Sequence, residues 1–373
     1  AHMNIFQIQK RFGTKEKCIA HLEKVRWDGN PVCPHCKGSS VTKRKTRRFY
    51  YRCNKCERDF TVQYGTIFEA SKLPLPKWFQ IIGLMLNARK GISAMQLMRN
   101  VGVTYKSAWY TAMRVRCAMV EPSEQIMLEG IVEMDEVYIG GKPRKRYKKD
   151  KFGTAYLSNV DTKRGRGTKK VAVVGIVERE GKKRVVTEIP EKLNTKTMME
   201  LLKKYVRIEK SQVMTDEAQF YNKFEEIIQH LIVTHSKKEF TRGIISTNTI
   251  DGYWSIIKNG IRGEYHVLSR KYLPFYLAEF AYKYNRRSKE GKENAFEETI
   301  ETAVSDKPVM VNYKPKKSPD EIAYRKKVRK KVTKKQKHKL RRRKPIRRKL
   351  AKRKPIVKKI NTRKTKRKHR RAA

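Results

Sequence analysis

Between residues 130 and 300 the apolar positions fall into an ordered series of short strands and helices. Alternation predicts a strand over 131–139. Two more apolar runs, 171–177 and 184–189, predict strands joined as a hairpin across Glu180-Gly181. Met198, Leu201, Leu202 and Tyr205 recur at helical spacing and predict a helix over 194–206. A strand over 212–215, a helix over 220–229 and a strand over 231–234 follow, then helices over 249–258 and 272–285. Upstream, Leu75-Pro76 opens an apolar run from Trp78 to Leu86 that predicts a helix. A short helix over 92–98, a turn at Val101-Gly102-Val103 and a helix from an N-cap Thr104 to Val115 come next.

Three strands, helix, strand, helix, strand, helix is the order of an RNase H-like α/β domain. We place that domain at 125–300. Two helices around a glycine-containing turn predict a helix-turn-helix over 71–122. Its Tyr105, Lys106, Trp109 and Arg114 are the expected DNA contacts, with a plain helical hairpin as the alternative. Residues 4–70 form a further unit, and 1–3 read as a cloning scar.

Charge sharpens this picture. The chain has 91 Lys and Arg against 36 Asp and Glu, a net charge of +55. Such an excess calls for a polyanion, and nucleic acid is the expected partner. No apolar run is long enough to span a membrane, and no membrane partner is expected. Residues 142–170 carry twelve Lys or Arg and two acids, and Arg144, Lys145 and Arg146 there are expected to hold phosphates. A tail over 313–373 contains 29 Lys or Arg between Arg325 and Arg371 with no acid. It is expected to be disordered alone.

The chemistry lies in two sets of residues. Cys33, Cys36, Cys53 and Cys56 form two knuckles of equal spacing, the layout of a zinc ribbon holding one structural Zn2+. Asp135 and Asp216 sit at or just past apolar β runs, and Asp251 lies on a helical pattern. Acids on two strand ends and a helix can converge on two Mg2+ or Mn2+ ions. Asn248, Asp251 and Ser255 share one helix face. Asn248 is a neutral ligand, an orienter of Asp251 or the helix cap; the residues leave these open. Lys258, two turns past Asp251, is placed to hold the scissile phosphate. Tyr253 is read as a DNA contact and Trp254 as core.

These segments resemble a family. The four-cysteine ribbon, Asp135-Glu136-Val137-Tyr138-Ile139-Gly140-Gly141, Thr215-Asp216, the stretch from Thr247 to Lys258, and Glu279 to Arg287 are similar to insertion-sequence transposases with an ISXO-like domain, relatives of the Merlin elements. The resemblance implies a DDE-type recombinase acting as a multimer, at least a dimer, on terminal inverted repeats. Water would free a 3′-hydroxyl, which would then attack target DNA. The position aligned with the family's third acid holds Asp251, one methylene shorter than Glu. The alternatives are a catalytically silent, domesticated DNA-binding protein and an RNA-associated basic protein. Location follows the host: cytoplasm and nucleoid in a bacterium, nucleus in a eukaryote.

Overall fold

The chain opens with two helices, α1 (Ile5–Phe12) and α2 (Lys15–Trp27). Asn4 and Gln7 form a capping box on α1, and Thr14 caps α2 through its hydroxyl. Both helices pack into the helical core, and the cysteines of the expected 4–70 unit sit on three short antiparallel strands and their turns. These are β1 (Val41–Lys43), β2 (Tyr51–Cys53) and β3 (Asp59–Phe60). Helix α3 (Leu75–Asn87) is apolar almost all round and forms the centre of that core. Helices α4 (Ala94–Val101) and α5 (Tyr105–Ala118) meet across Gly102, whose φ of 63° is the left-handed conformation the turn requires. Thr104 accepts from Ser107 N and caps α5 as the sequence predicts.

The computed structural model describes residues 3–121, 126–140, 147–149, 155–157, 170–234, 241–243 and 245–305, all within one compact unit spanning 1–315. Strand β4 (Leu128–Ile139) is the middle strand of a five-stranded sheet. Within the basic segment 142–170, β5 (Tyr147–Lys149) and β6 (Ala155–Leu157) pair as a small antiparallel hairpin. Strands β7 (Val171–Glu178) and β8 (Val185–Glu188) form the predicted hairpin. Helix α6 (Thr195–Tyr205) leads into β9 (Val206–Asp216), which is longer than the apolar pattern suggests. Residues Gln219–Glu226 form a 3-10 helix where an α-helix is expected. After it come β10 (Gln229–Val233) and the small pair β11 (Thr241–Arg242) and β12 (Ile245–Ser246). Helix α7 (Asn248–Gly260) passes through a π-helical turn, Ile261–Tyr265, towards α8 (Leu273–Asn285) and α9 (Lys289–Val304).

The sheet order is β10-β9-β4-β7-β8, with β10, β9 and β4 parallel and β4, β7 and β8 antiparallel, the RNase H-like arrangement. Val132, Met134, Val174 and Ile176 face α6 and the 3-10 helix. Val137, Ile139, Val173 and Val177 face α7 and α8. Successive strand residues alternate between faces, so Glu133 and Asp135 share the α7 side.

Helix α9 does not join this sheet. Phe296, Ile300, Ala303 and Val304 pack with Ile8, Phe12, Phe79 and Ile82 in the helical core. The expected end of the α/β unit at 300 therefore moves back to α8. At the junction a buried ion cluster links α5 to α8: Arg116 Nε donates to Glu279 Oε2 at 2.6 Å, and Lys283 Nζ to Oε1 at 2.7 Å. Full pairing is what lets three charges stay out of water. Asn285 completes β8, accepting from Val185 N at 2.8 Å and donating to Val185 O at 3.2 Å.

Candidate active site

The β4–β9 ladder ends at the pair Glu133↔Met214. Beyond it the edge of β4 is open, and the C-terminal end of β9 brings Asp216 into the opening. There one carboxylate oxygen from each of Asp135, Glu136 and Asp216 lies within 4.8 Å of the other two. The site is thus outside the carboxyl end of a parallel strand, the usual ligand position in such sheets. Tyr221 OH donates to Glu136 Oε2 at 3.2 Å, and Ala218 N to Asp216 Oδ1 at 3.1 Å. The Thr215 hydroxyl donates to Asp216 O, so His230 Nε2, 2.8 Å from Thr215 Oγ1, is the donor of that pair. Burial holds His230 below its ordinary pKa, which keeps it neutral.

The acids repel one another. Burial, then the charges of Glu136, Asp216 and Asp251, push the Asp135 carboxyl up to about 7. One side of this carboxylate is held: Trp254 Nε1 donates to Asp135 Oδ2 at 2.9 Å. The indole reaches it because the strand residue opposite Asp135 is Gly175. A Cβ there would stand 2.6 Å from Trp254 Cζ2 and 2.9 Å from Ile250 Cδ1. We expect Gly175→Ala to cost about 1–3 kcal/mol in chemical denaturation, as overpacking does. A denaturation curve matching wild type would contradict this contact.

Glu136 joins the acidic cluster, and Trp254 and Gly175 lie against it; the sequence reading takes Trp254 as core and does not single out Glu136 or Gly175. Gly175 carries a signal, since a glycine inside the run Val171–Val177 marks a close approach. Glu136 does not, because strand alternation sends neighbours to opposite faces. It meets Asp135 only because the ladder stops beside them.

The other expected residues fall as follows. Asp251 is exposed on α7 and lies outside the three-acid cluster, although its charge reaches Asp135. Asn248 is exposed as the first residue of α7, and the N-cap is Thr247, which corrects the reading of Asn248 as cap. Lys258 is exposed in the last turn of the same helix. Tyr253 is 0 % exposed, against Tyr284 with ring centroids 4.9 Å apart, which removes it as a DNA contact. The reason is helical geometry: Ile250, Tyr253, Trp254 and Ile257 form the stripe that faces the sheet. Arg114 is 3 % exposed and donates to Glu69 O at 2.7 Å, so it too is structural. Trp109 is half-buried, edge-on to Tyr272 at 5.2 Å. From Thr111 onwards α5 is buried all round; Tyr105, Lys106 and Tyr110 are exposed near its N-terminus. Arg144, Lys145, Arg146 and the tail lie outside the described residues.

In the ribbon, Cys33 and Cys56 Sγ are 3.6 Å apart, and Cys36 and Cys53 Sγ are 3.5 Å apart. A tetrahedron with bonds of about 2.3 Å has edges of about 3.8 Å, so the four sulfurs fit structural zinc. The backbone N–H of Cys56 lowers the Cys53 thiol to about 6, favouring the ligating thiolate.

Residues 127–285 match the ISXO2-like transposase domain, and residues 13–59 match a transposase zinc-ribbon domain. An uncharacterized protein in transposable element ISH50 of Halobacterium salinarum is 30% identical over 302 residues, covering 79% of this chain and 99% of that protein. Two solved structures show a loose likeness at 13% identity. The Mos1 strand transfer complex gives a TM-score of 0.26, covering 61% of this chain and 77% of that one. A pre-cleavage Mos1 transpososome gives 0.24, covering 60% and 77%. Among the described residues no helix is long and apolar enough to cross a membrane. Ribbon, sheet, acidic cluster and a relative matched over nearly its whole length agree: this chain belongs to the ISXO2-like transposase family and is a DNA transposase.

Proposed function

We propose that this transposase binds the terminal inverted repeats of its element as a homo-oligomer, at least a dimer on paired ends, and cuts and joins DNA at the acidic cluster. The observation that carries this reading is the meeting of Asp135, Glu136 and Asp216 within 4.8 Å. The donors are all hard oxygens, the set that suits Mg2+ or Mn2+. Asp135, Glu136 and Asp216 would hold one ion; Asp135 and Asp251 would face a second. When bound, such ions supply Lewis-acid stabilisation of the phosphodiester and an acidified water.

The protein's own groups set the stage. Trp254 holds one oxygen of Asp135 and the Tyr221 hydroxyl holds Glu136. Asn248, Asp251, Ser255 and Lys258 form an exposed polar stripe on α7, along which a DNA strand would lie, with Lys258 at a phosphate. In the first step water displaces the 3′-oxygen of one phosphodiester, leaving a 3′-hydroxyl and a 5′-phosphate. In the second the 3′-hydroxyl attacks a target phosphodiester, one P–O bond replacing another. The protein forms no covalent link to DNA.

Tyr105, Lys106 and Tyr110 at the exposed end of α5 suit entry into a groove, where such helices read with their N-terminal residues. Arg144, Lys145, Arg146 and the tail add phosphate contacts independent of sequence. The protein would act wherever its host keeps DNA, the nucleoid or the nucleus.

The test is cleavage of DNA carrying the element's own terminal repeat, with magnesium or manganese. Asp251→Ala is expected to abolish cleavage and Asn248→Ala to retain it. Cleavage that survives Asp251→Ala and vanishes in Asn248→Ala would move the third ligand by one turn. Salt-sensitive binding with no metal-dependent cleavage by the wild type would overturn the proposal.

A further inference from the structure

Strand β4 also carries Glu133, a buried acid that does not join the cluster. Its carboxylate is 0 % exposed. Arg179 Nε donates to Glu133 Oε1 at 2.8 Å, and Ile250 N donates to Oε2 at 2.9 Å. Ile250 is the third residue of α7, a helix whose own N-cap, Thr247, makes no side-chain cap bond. Glu133 therefore caps α7 from another strand, with its negative charge at the positive end of the helix. Arg179 closes the arrangement. Its Nη2 donates to Ser246 O at 2.7 Å and Ser246 Oγ at 3.0 Å, and its backbone N to Ile131 O at 2.9 Å.

A second tie joins the same two elements, from Trp254 Nε1 to Asp135 Oδ2. The ties leave β4 two residues apart and reach α7 four residues apart. Two strand steps advance about 6.6 Å, and four helix steps about 6 Å. The spacings agree, so both ties form together at one placement of the helix. A slip by one helical turn, or a rotation by one residue, breaks both. Asp251 sits between the two tied residues of α7.

We propose that Glu133, Arg179 and Trp254 are positioning residues that fix the register of α7 on β4 and thereby set the reach of Asp251 towards Asp135. The proposal rests on the acidic cluster being the strand-cleavage site. It also explains why an acid two residues before Asp135 is withheld from solvent: it holds the helix, not the metal.

The test uses the full chain in two conservative variants, Arg179→Lys and Trp254→Phe, with circular dichroism as the check on folding. Mn2+ binding is measured by electron paramagnetic resonance of the free ion, without DNA. End cleavage is then titrated with Mn2+ to separate half-saturation from the maximal rate. We expect each folded variant to bind Mn2+ at least tenfold more weakly and to shift half-saturation by a similar factor. Affinity for end DNA in EDTA is expected to stay within about twofold, since no DNA contact is removed. Should Arg179→Lys fail to fold because Glu133 is left buried and poorly paired, Trp254→Phe carries the test alone. Unchanged Mn2+ affinity and half-saturation in a folded variant would overturn the proposal. Asp135→Asn separates the two levels: if it still binds Mn2+ and cleaves, the cluster reading itself fails.

Discussion

Asp135→Asn is expected to abolish end cleavage and, at the same time, to make the metal-free protein more stable above neutral pH. Losing the central acid removes metal-derived stabilisation worth several kcal/mol, a fall of about 10^3-fold or more in rate. The stability gain has a separate origin. The Asp135 carboxyl stands at about 7 in the fold, above its ordinary value of 3.8. A carboxyl whose folded pKa is raised binds its proton more tightly when folded, so it stabilises at low pH. That advantage is full below the unfolded value and is lost as pH rises through 3.8 towards 7. Above that window the wild type carries a buried, repelled carboxylate, at a cost on the order of a few kcal/mol. Asparagine carries none. Melting curves in EDTA should coincide near pH 4 and separate with pH, the variant melting higher at pH 8. Added Mn2+ should raise the wild-type melting temperature at pH 8 and leave the variant nearly unmoved. A variant that melts lower than wild type at pH 8 would show that the three acids do not repel as the geometry implies.

The second large effect concerns the ribbon. Its core is Cys33, Tyr51, Cys53 and Phe60, with Trp27 edge-on to Tyr51 at 5.2 Å and to Phe60 at 5.9 Å. So few apolar residues cannot hold three strands of two or three residues each. Zinc binding at such a site contributes about 10–16 kcal/mol, which is the folding energy of the module. Cys53→Ser, or prolonged chelation, is therefore expected to unfold residues 28–60 while the RNase H-like sheet persists. Proteolysis should cut within the ribbon and spare β4 to α8. Trp27 emission should shift to the red, and affinity for end DNA should fall at least tenfold. Retention of the ribbon's protease resistance after zinc removal would refute a structural metal.

Much of the sheet is legible in the sequence because strand burial leaves simple marks. The alternating run ending at Ile139 is β4, and Thr104 announces α5 through its hydroxyl. Helices α1 and α2 are harder to read. Helix α2 buries Cys18, Ile19 and Leu22 among charged neighbours, and a stripe so narrow is faint by period alone. Aromatics at 220, 221 and 224 fit both α and 3-10 spacing, and the chain takes the tighter one. Asp135 and Asp216 are legible as acids at the ends of apolar runs. The place of Glu136 depends on where two strands stop pairing, which no local pattern records. Tyr253 is a different case: the i, i+3, i+4, i+7 stripe of α7 contains it, so periodicity outranks a functional guess based on residue type.

Helix α9 has a consequence for how the chain is made. Phe12 stacks on Phe296 at 5.8 Å and Phe79 meets it edge-on at 6.0 Å, partners separated by more than 200 residues of sequence. As the polypeptide leaves the ribosome, the first five helices emerge without the wall that seals them, and the whole sheet must be synthesised before it arrives. Until then an apolar groove faces water, a surface for chaperones or for another nascent chain. A fragment cut after α5 to isolate the N-terminal helices would keep that groove permanently, so a soluble version needs residues 289–304 restored through a linker.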